Sequence, residues 1–158
     1  MCEAGDMTMC RLLCAPLLFL FCMPAAMAQQ DRGYWVANSR TATSITGDIT
    51  ISEYKVVMDF SKFAIADIRD VTPAEVNAVF NGSASSAPGT LYRISIPGDK
   101  KFLHHNTMCG GDETQWMLTT ISNRVLSVAF FSGAVMPVLT PDAMANTTTL
   151  CGTYMYTR

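Results

Sequence analysis

The chain has 158 residues, with 11 basic and 13 acidic side chains and a formal charge of −2. That near-neutral balance excludes the basic field that nucleic acid or an anionic membrane surface would require. The length suits one domain around one core.

Behind Arg11, residues 12–23 form an apolar run, Pro24 breaks it, and Ala26-Met27-Ala28 gives the small-x-small pattern that a signal peptidase reads. The expectation is a signal peptide over 1–28 and a single domain over 29–158. The run is shorter than the roughly 20 residues of a membrane span, and no second such run follows. Glu3 and Asp6 stand where a leader is usually basic, which leaves Met1, Met7 and Met9 open as the start. Cys14 follows Leu13 and Cys22 follows Phe21, bulky neighbours that argue against a lipidated cysteine. Without Arg11, Glu3 and Asp6, the exported chain keeps ten basic and eleven acidic residues, a net charge of −1. It also keeps two of the six cysteines, Cys109 and Cys151. In an oxidising compartment these are expected to pair, and closing a loop of that length contributes about 4 kcal/mol in the chain-entropy account.

Short runs of β-branched and aromatic residues then alternate with turn residues, the pattern of antiparallel β structure. Tyr34-Trp35-Val36 predicts the first strand and 45–52 the second, with Gly47-Asp48 inside it. Residues 55–60 and 63–71 predict two more, joined at Ser61-Lys62. Phe63, Ile65 and Ile68 break the period of two, so a bulge is expected there. Thr72-Pro73-Ala74-Glu75 combines a capping hydroxyl, a proline at the first helical position and a glutamate two residues on. It predicts a two-turn helix with Val76, Val79 and Phe80 on one face and Asn81-Gly82 at its end. Residues 83–89 predict a surface loop and 91–96 an alternating strand. Pro97-Gly98-Asp99-Lys100 predicts a turn, and 101–105 a strand. Residues 115–122 and 125–131 predict a hairpin across Asn123-Arg124, the second strand apolar enough to be buried on both faces. Residues 133–146, with two prolines, predict the longest irregular stretch, and 148–156 the last strand. The sum is a small antiparallel β-barrel or two-sheet sandwich of about eight strands with one short helix.

Candidate chemistry is sparse. His104 and His105 lie near Cys109 and Asp112, but adjacent residues on a strand face opposite ways, and Cys109 is committed to the disulfide, so no metal site is expected. The six methionines of the exported domain are scattered, as core filling would scatter them rather than a copper site. There is no Gly-x-Ser-x-Gly, no His-Glu-x-x-His and no glycine loop for phosphate. No catalytic residue and no cofactor are therefore expected. Gly110-Gly111-Asp112 predicts a tight turn beside the disulfide, and Met108, Gly110, Gly111, Asp112 and Glu113 are the candidate recognition loop. Asn81-Gly82-Ser83 and Asn146-Thr147-Thr148 match the N-glycosylation pattern, which matters only in a eukaryotic secretory pathway.

Three spaced segments, Ile45-Thr46-Gly47-Asp48-Ile49, Thr107-Met108-Cys109-Gly110-Gly111 and Leu150-Cys151-Gly152-Thr153-Tyr154-Met155-Tyr156, resemble those of small exported proteins of Gram-negative bacteria with two cysteines. The resemblance implies a periplasmic location and the same cysteine pairing. That group has no established activity, so the resemblance implies no catalytic residues.

These readings lead to an exported, periplasmic or secreted, non-catalytic binding or accessory module for a small apolar ligand or an envelope protein. The alternative is an inhibitor of a secreted hydrolase acting through a disulfide-fixed loop. An enzyme with an unrecognised site is the third class.

Overall fold

The computed structural model describes residues 31–82 and 87–158. The leader expected over 1–28 and most of the loop expected over 83–89 lie outside the described residues. Eight strands close into an antiparallel barrel, each paired with the next in sequence and the last paired with the first. They are β1 (Gly33–Ala37), β2 (Ile49–Ile51), β3 (Lys55–Met58), β4 (Ser61–Val71), β5 (Gly89–Ile96), β6 (Thr114–Ser122), β7 (Val125–Ser132) and β8 (Leu150–Thr157). Of the two β architectures that the pattern allows, the chain adopts the barrel.

The period of two puts Trp35, Ile49, Ile51, Val56, Met58, Ile94, Met117, Val128, Phe130, Tyr154 and Tyr156 inside, as one cluster. The expected bulge falls in β4 between Asp67 and Arg69, at Ile68, which turns outward. Beyond it Val71 joins a second cluster on the outside of β5, β6 and β7, with Leu91, Trp116, Leu118, Ala129 and Phe131. β7 is thus buried on both faces, as its apolar run predicts, and β5 and β6 are so around Leu91 and Leu118.

Two helices cover that outer cluster. The expected one, α1 (Pro73–Phe80), has the full capping box: Thr72 accepts from the Glu75 amide, and Glu75 accepts from the Thr72 amide. Val76, Val79 and Phe80 are its buried face, and Asn81 ends it in the left-handed region. The second, α2 (Pro141–Ala145), lies within the stretch expected to be irregular, so the single predicted helix becomes two. It uses the same device as α1, a Thr140 hydroxyl accepting from the Ala143 amide ahead of Pro141.

Three further boundaries differ from expectation. The chain at 42–46 forms one wide helical turn, with the Gly47 amide bonded to the Ala42 carbonyl, so β2 starts only at Ile49. The β3–β4 turn is Asp59-Phe60, both with positive φ, because Met58 pairs with Ser61. Residues 103–105 form a tight helical turn instead of a strand. His104 and His105 both have positive φ, and Phe102 is drawn into the core against Phe63.

The barrel closes through β1 and β8, where Val36 faces Thr157 and Ala37 faces Tyr156. The Arg158 guanidinium stacks on the Trp35 ring at 4.1 Å and donates to the Arg32 carbonyl. Gly33 makes this possible, since a Cβ there would lie 2.8 Å from that guanidinium. The Trp35 indole donates to the Asp31 carbonyl at 2.7 Å, and the Asp31 carboxylate accepts from Tyr92 and Thr119 at 2.7 and 2.8 Å. Burial and that carboxylate push the Tyr92 hydroxyl well above its ordinary range.

The Arg69 guanidinium, with the Thr72 amide and hydroxyl, holds the Glu75 carboxyl down at about 2. A depressed carboxyl stabilises the fold above its unfolded pKa, near 4.5, and loses that contribution as pH falls towards 2. Glu75→Gln should therefore lower stability by about 1 kcal/mol at pH 7. Urea unfolding at several pH values should show the gap from wild type shrinking below pH 4.5 and closing near pH 2.

Candidate functional site

A binding site must be sought either inside the barrel or on its surface. Inside, Val56, Met58, Ile96, Met117, Phe130, Tyr154 and Tyr156 have 0 % exposure. A void wide enough for water would expose them, so none lies against these side chains. Among the described residues, every buried side-chain nitrogen and oxygen is hydrogen-bonded. The Tyr156 hydroxyl meets Thr46 at 2.7 Å, and the Tyr154 hydroxyl donates to the Met108 sulfur at 3.0 Å. Burial pushes the Tyr154 hydroxyl up to about 12. These tyrosines are neutral core members tied to the elements that roof the barrel.

That roof identifies one end of the molecule. The connections after β1, β3, β5 and β7 gather there, and the disulfide Cys109–Cys151 staples the connection after β5 to β8. The opposite end carries Asp31, Arg158 and the connections after β2, β4 and β6.

The candidate recognition loop lies at the stapled end, and its residues divide. Met108 is buried, its sulfur beneath the roof on Tyr154. Gly110, Gly111, Asp112 and Glu113 are exposed. The Asp112 amide bonds to the Cys109 carbonyl at 3.1 Å across the two glycines, which have φ of 67° and 124°, the expected tight turn. A Cβ on Gly98 would overlap the Gly111 carbonyl, so the 97–100 turn packs directly on this loop. His104 and His105 are exposed on their own turn, and among the described residues no group of three or more metal-ligating side chains gathers.

The structure adds a neighbour that the sequence placed only in an irregular stretch. Thr114 faces Ser132, so Glu113 and Gly133 leave the sheet side by side. Ser95 donates to Glu113 at 2.6 Å, Gln115 donates to Glu113 at 3.0 Å, and Arg93 donates to Gln115. Arg93 also lies 4.6 Å above the Trp116 ring, and its guanidinium reaches the Ala134 carbonyl at 3.5 Å. The Trp116 indole donates to the Gly133 carbonyl at 3.0 Å. This rail of side chains on the outer face of β5 and β6 joins the disulfide loop to the segment after β7. There Val135 is 84 % exposed, Val138 63 % and Met136 42 %, while Leu139 is buried in the outer cluster.

The stapled end has one more apolar projection. Phe60, at the tip of the β3–β4 hairpin, is 98 % exposed with φ of 60°. A bulky side chain there carries two costs, the strain of the left-handed region and the exposure of a whole aromatic ring. Elsewhere, an open groove of about 440 Å³ runs between α1 and α2, lined by Ala74, Asn77, Ala78, Val79, Asn81, Pro141, Met144, Ala145 and Leu150. It has no ionisable side chain with which to do acid–base chemistry.

Comparison with known proteins finds no matching family model, no matching curated protein and no matching solved structure.

Two backbone substitutions at this end should have opposite signs. Gly98→Ala forces the Gly111 carbonyl away and should destabilise the fold by about 2 kcal/mol. Phe60→Gly relieves the left-handed strain at a turn position that favours glycine, and should stabilise by up to about 1 kcal/mol. Thermal unfolding of the two variants beside wild type checks both signs.

Proposed function

We propose that this chain is an exported, non-catalytic binding module that grips a protein partner with the stapled end of its barrel. The carrying observation is the distribution of apolar surface. Inside, the side chains fill the space around one another. Outside, Val135, Met136, Val138 and Phe60 project into solvent from the stapled end, while Tyr34, Val36, Tyr54, Ile68 and Met155 are exposed singly on β1, the β2–β3 connection, β4 and β8. Exposed apolar groups on anchored loops are candidate anchors of a protein interface. The polar flank formed by Asp112 and Glu113, where Glu113 leaves the sheet beside Gly133, suits an interface with an apolar centre and a wet rim.

Export is supported by the leader pattern over 1–28 and by the disulfide, which suits an oxidising compartment such as the periplasm. Among the described residues, no helix is long and apolar enough to cross a membrane.

An inhibitor of a secreted hydrolase is the second reading. It is favoured by the way the segment after β7 is held at its base by Trp116 and Arg93 and beyond it by the buried Leu139.

Native, non-reducing mass spectrometry of the protein purified from the envelope of the producing cell tests the proposal. The expected spectrum holds a complex with a second polypeptide that is lost in Val135→Asp/Val138→Asp. A small-molecule adduct retained by that variant, with no polypeptide bound to wild type, would sink the reading in favour of a ligand carrier.

A further inference from the structure

A strand over 101–105 would turn His104 and His105 to opposite faces, and on that ground the sequence argues against a metal site there. The backbone removes that ground. His104 has φ of 55° and ψ of 27°, and His105 has φ of 62°. Both lie in the left-handed helical region, where successive side chains are rotated by about 100° and do not alternate between faces. The two imidazoles therefore leave one tight turn as neighbours, and both residues are exposed.

The turn itself is firmly seated. The Asn106 amide bonds to the Leu103 carbonyl at 3.1 Å, the His105 amide to the Phe102 carbonyl at 3.1 Å, and the Phe102 amide to the Asn106 carbonyl at 2.8 Å. Phe102 is buried with its ring against Phe63, and the Asn106 side chain donates to the Ser44 carbonyl at 3.0 Å. A pair of donors on so fixed a backbone loses little chain freedom when it binds.

Neither ring has a task in holding the fold. Among the described residues, neither imidazole makes a hydrogen bond to protein. Glycine or asparagine would serve a left-handed turn at lower cost. Two bases are thus displayed to solvent from positions where the backbone does not call for them.

Imidazole nitrogen suits copper, nickel and zinc, whereas magnesium and calcium take oxygen. Divalent copper stands highest in the affinity order of such sites, and its tetragonal geometry accepts two nitrogens with waters beside them. Cys109 and Cys151 are joined to each other and offer no competing thiolate. Among the described residues, no group of three or more metal-ligating side chains gathers, so the rest of the ion's shell falls to solvent.

We infer that His104 and His105 together form a surface site for a divalent copper ion, each giving one ring nitrogen, with water in the remaining positions. An ion with so much of its shell in solvent exchanges readily. Copper binding does not depend on the partner-binding reading, and either can fail alone.

The test titrates the purified, disulfide-intact protein with copper(II), zinc(II) and magnesium(II) by calorimetry, beside the double variant His104→Asn/His105→Gly. Asn-Gly suits a left-handed turn, so the variant keeps the fold, and its thermal midpoint should lie at or above that of wild type. Wild type should bind copper at one site per chain, bind zinc more weakly, and give no response to magnesium. The double variant should lose the copper site, and each single substitution should weaken it. Pulsed electron paramagnetic resonance of the copper-loaded protein should show two coordinated imidazoles. Copper binding equal in wild type and the double variant, a single coordinated imidazole, or a copper spectrum no different from that in buffer overturns the inference.

Discussion

The ladder between β1 and β8 decides whether this chain has a barrel at all. It is the one strand pair joined across the whole length of the domain, and only two residue pairs form it, against eight between β6 and β7. So short a seam needs side-chain reinforcement. The Asn38 and Ser39 amides bond to the Met155 carbonyl, and the Ser39 hydroxyl accepts from the Met155 amide. At the other end of the seam, Arg158 clasps Trp35 and the Arg32 carbonyl, and a cation held over an indole contributes about 1 kcal/mol or more when partly desolvated. Asp31 extends this clasp across the barrel mouth to Tyr92 and Thr119. Residues from both ends of the domain therefore meet around one tryptophan.

Closure has a functional corollary. A closed barrel has no free sheet edge with which to bind a partner. With eight strands, its bore is about as wide as its own side chains, and here those side chains occupy it. Recognition is thereby displaced to the connections. At the end bearing the disulfide they are long enough to be shaped, and cross-braces from β5 and β6 shape them. The bracing side chains include Arg93 and Trp116, both on the outer face of the sheet, where a sequence reader would assign them to solvent and core respectively.

Much of the architecture is legible because it follows from alternation. Tyr92, Ile94 and Ile96 announce one face of β5, and Phe63, Ile65 and Ile68 announce the bulge at Ile68. Thr72-Pro73-Ala74-Glu75 announces α1 down to its cap. The helix at Pro141 is equally available in Thr140-Pro141-Asp142. It is hidden because five residues between prolines and asparagine look like loop, and its stability comes from packing on the outer cluster. The turn at Asp59-Phe60 lies two residues before the expected one because phenylalanine is a poor choice for a left-handed position. No local rule signals a residue set against its own backbone preference. The composite surface is illegible for another reason. Glu113 and Gly133 are brought side by side only by the register of β6 on β7, which no composition or spacing specifies.

The disulfide has a consequence for how the molecule can be assembled. Cys109 and Cys151 are the two cysteines of the described domain, so oxidation there has a single possible product. Within the described residues there is no mispaired isomer for a disulfide isomerase to correct. The bond joins the connection after β5 to β8, and everything between them, β6, β7 and α2, is enclosed in the loop closed by cysteines 42 positions apart. The covalent ring therefore contains the hairpin with the longest ladder and the projecting segment together. Even a chain whose first strands have come away would hold that hairpin and its apolar loop in one tethered unit.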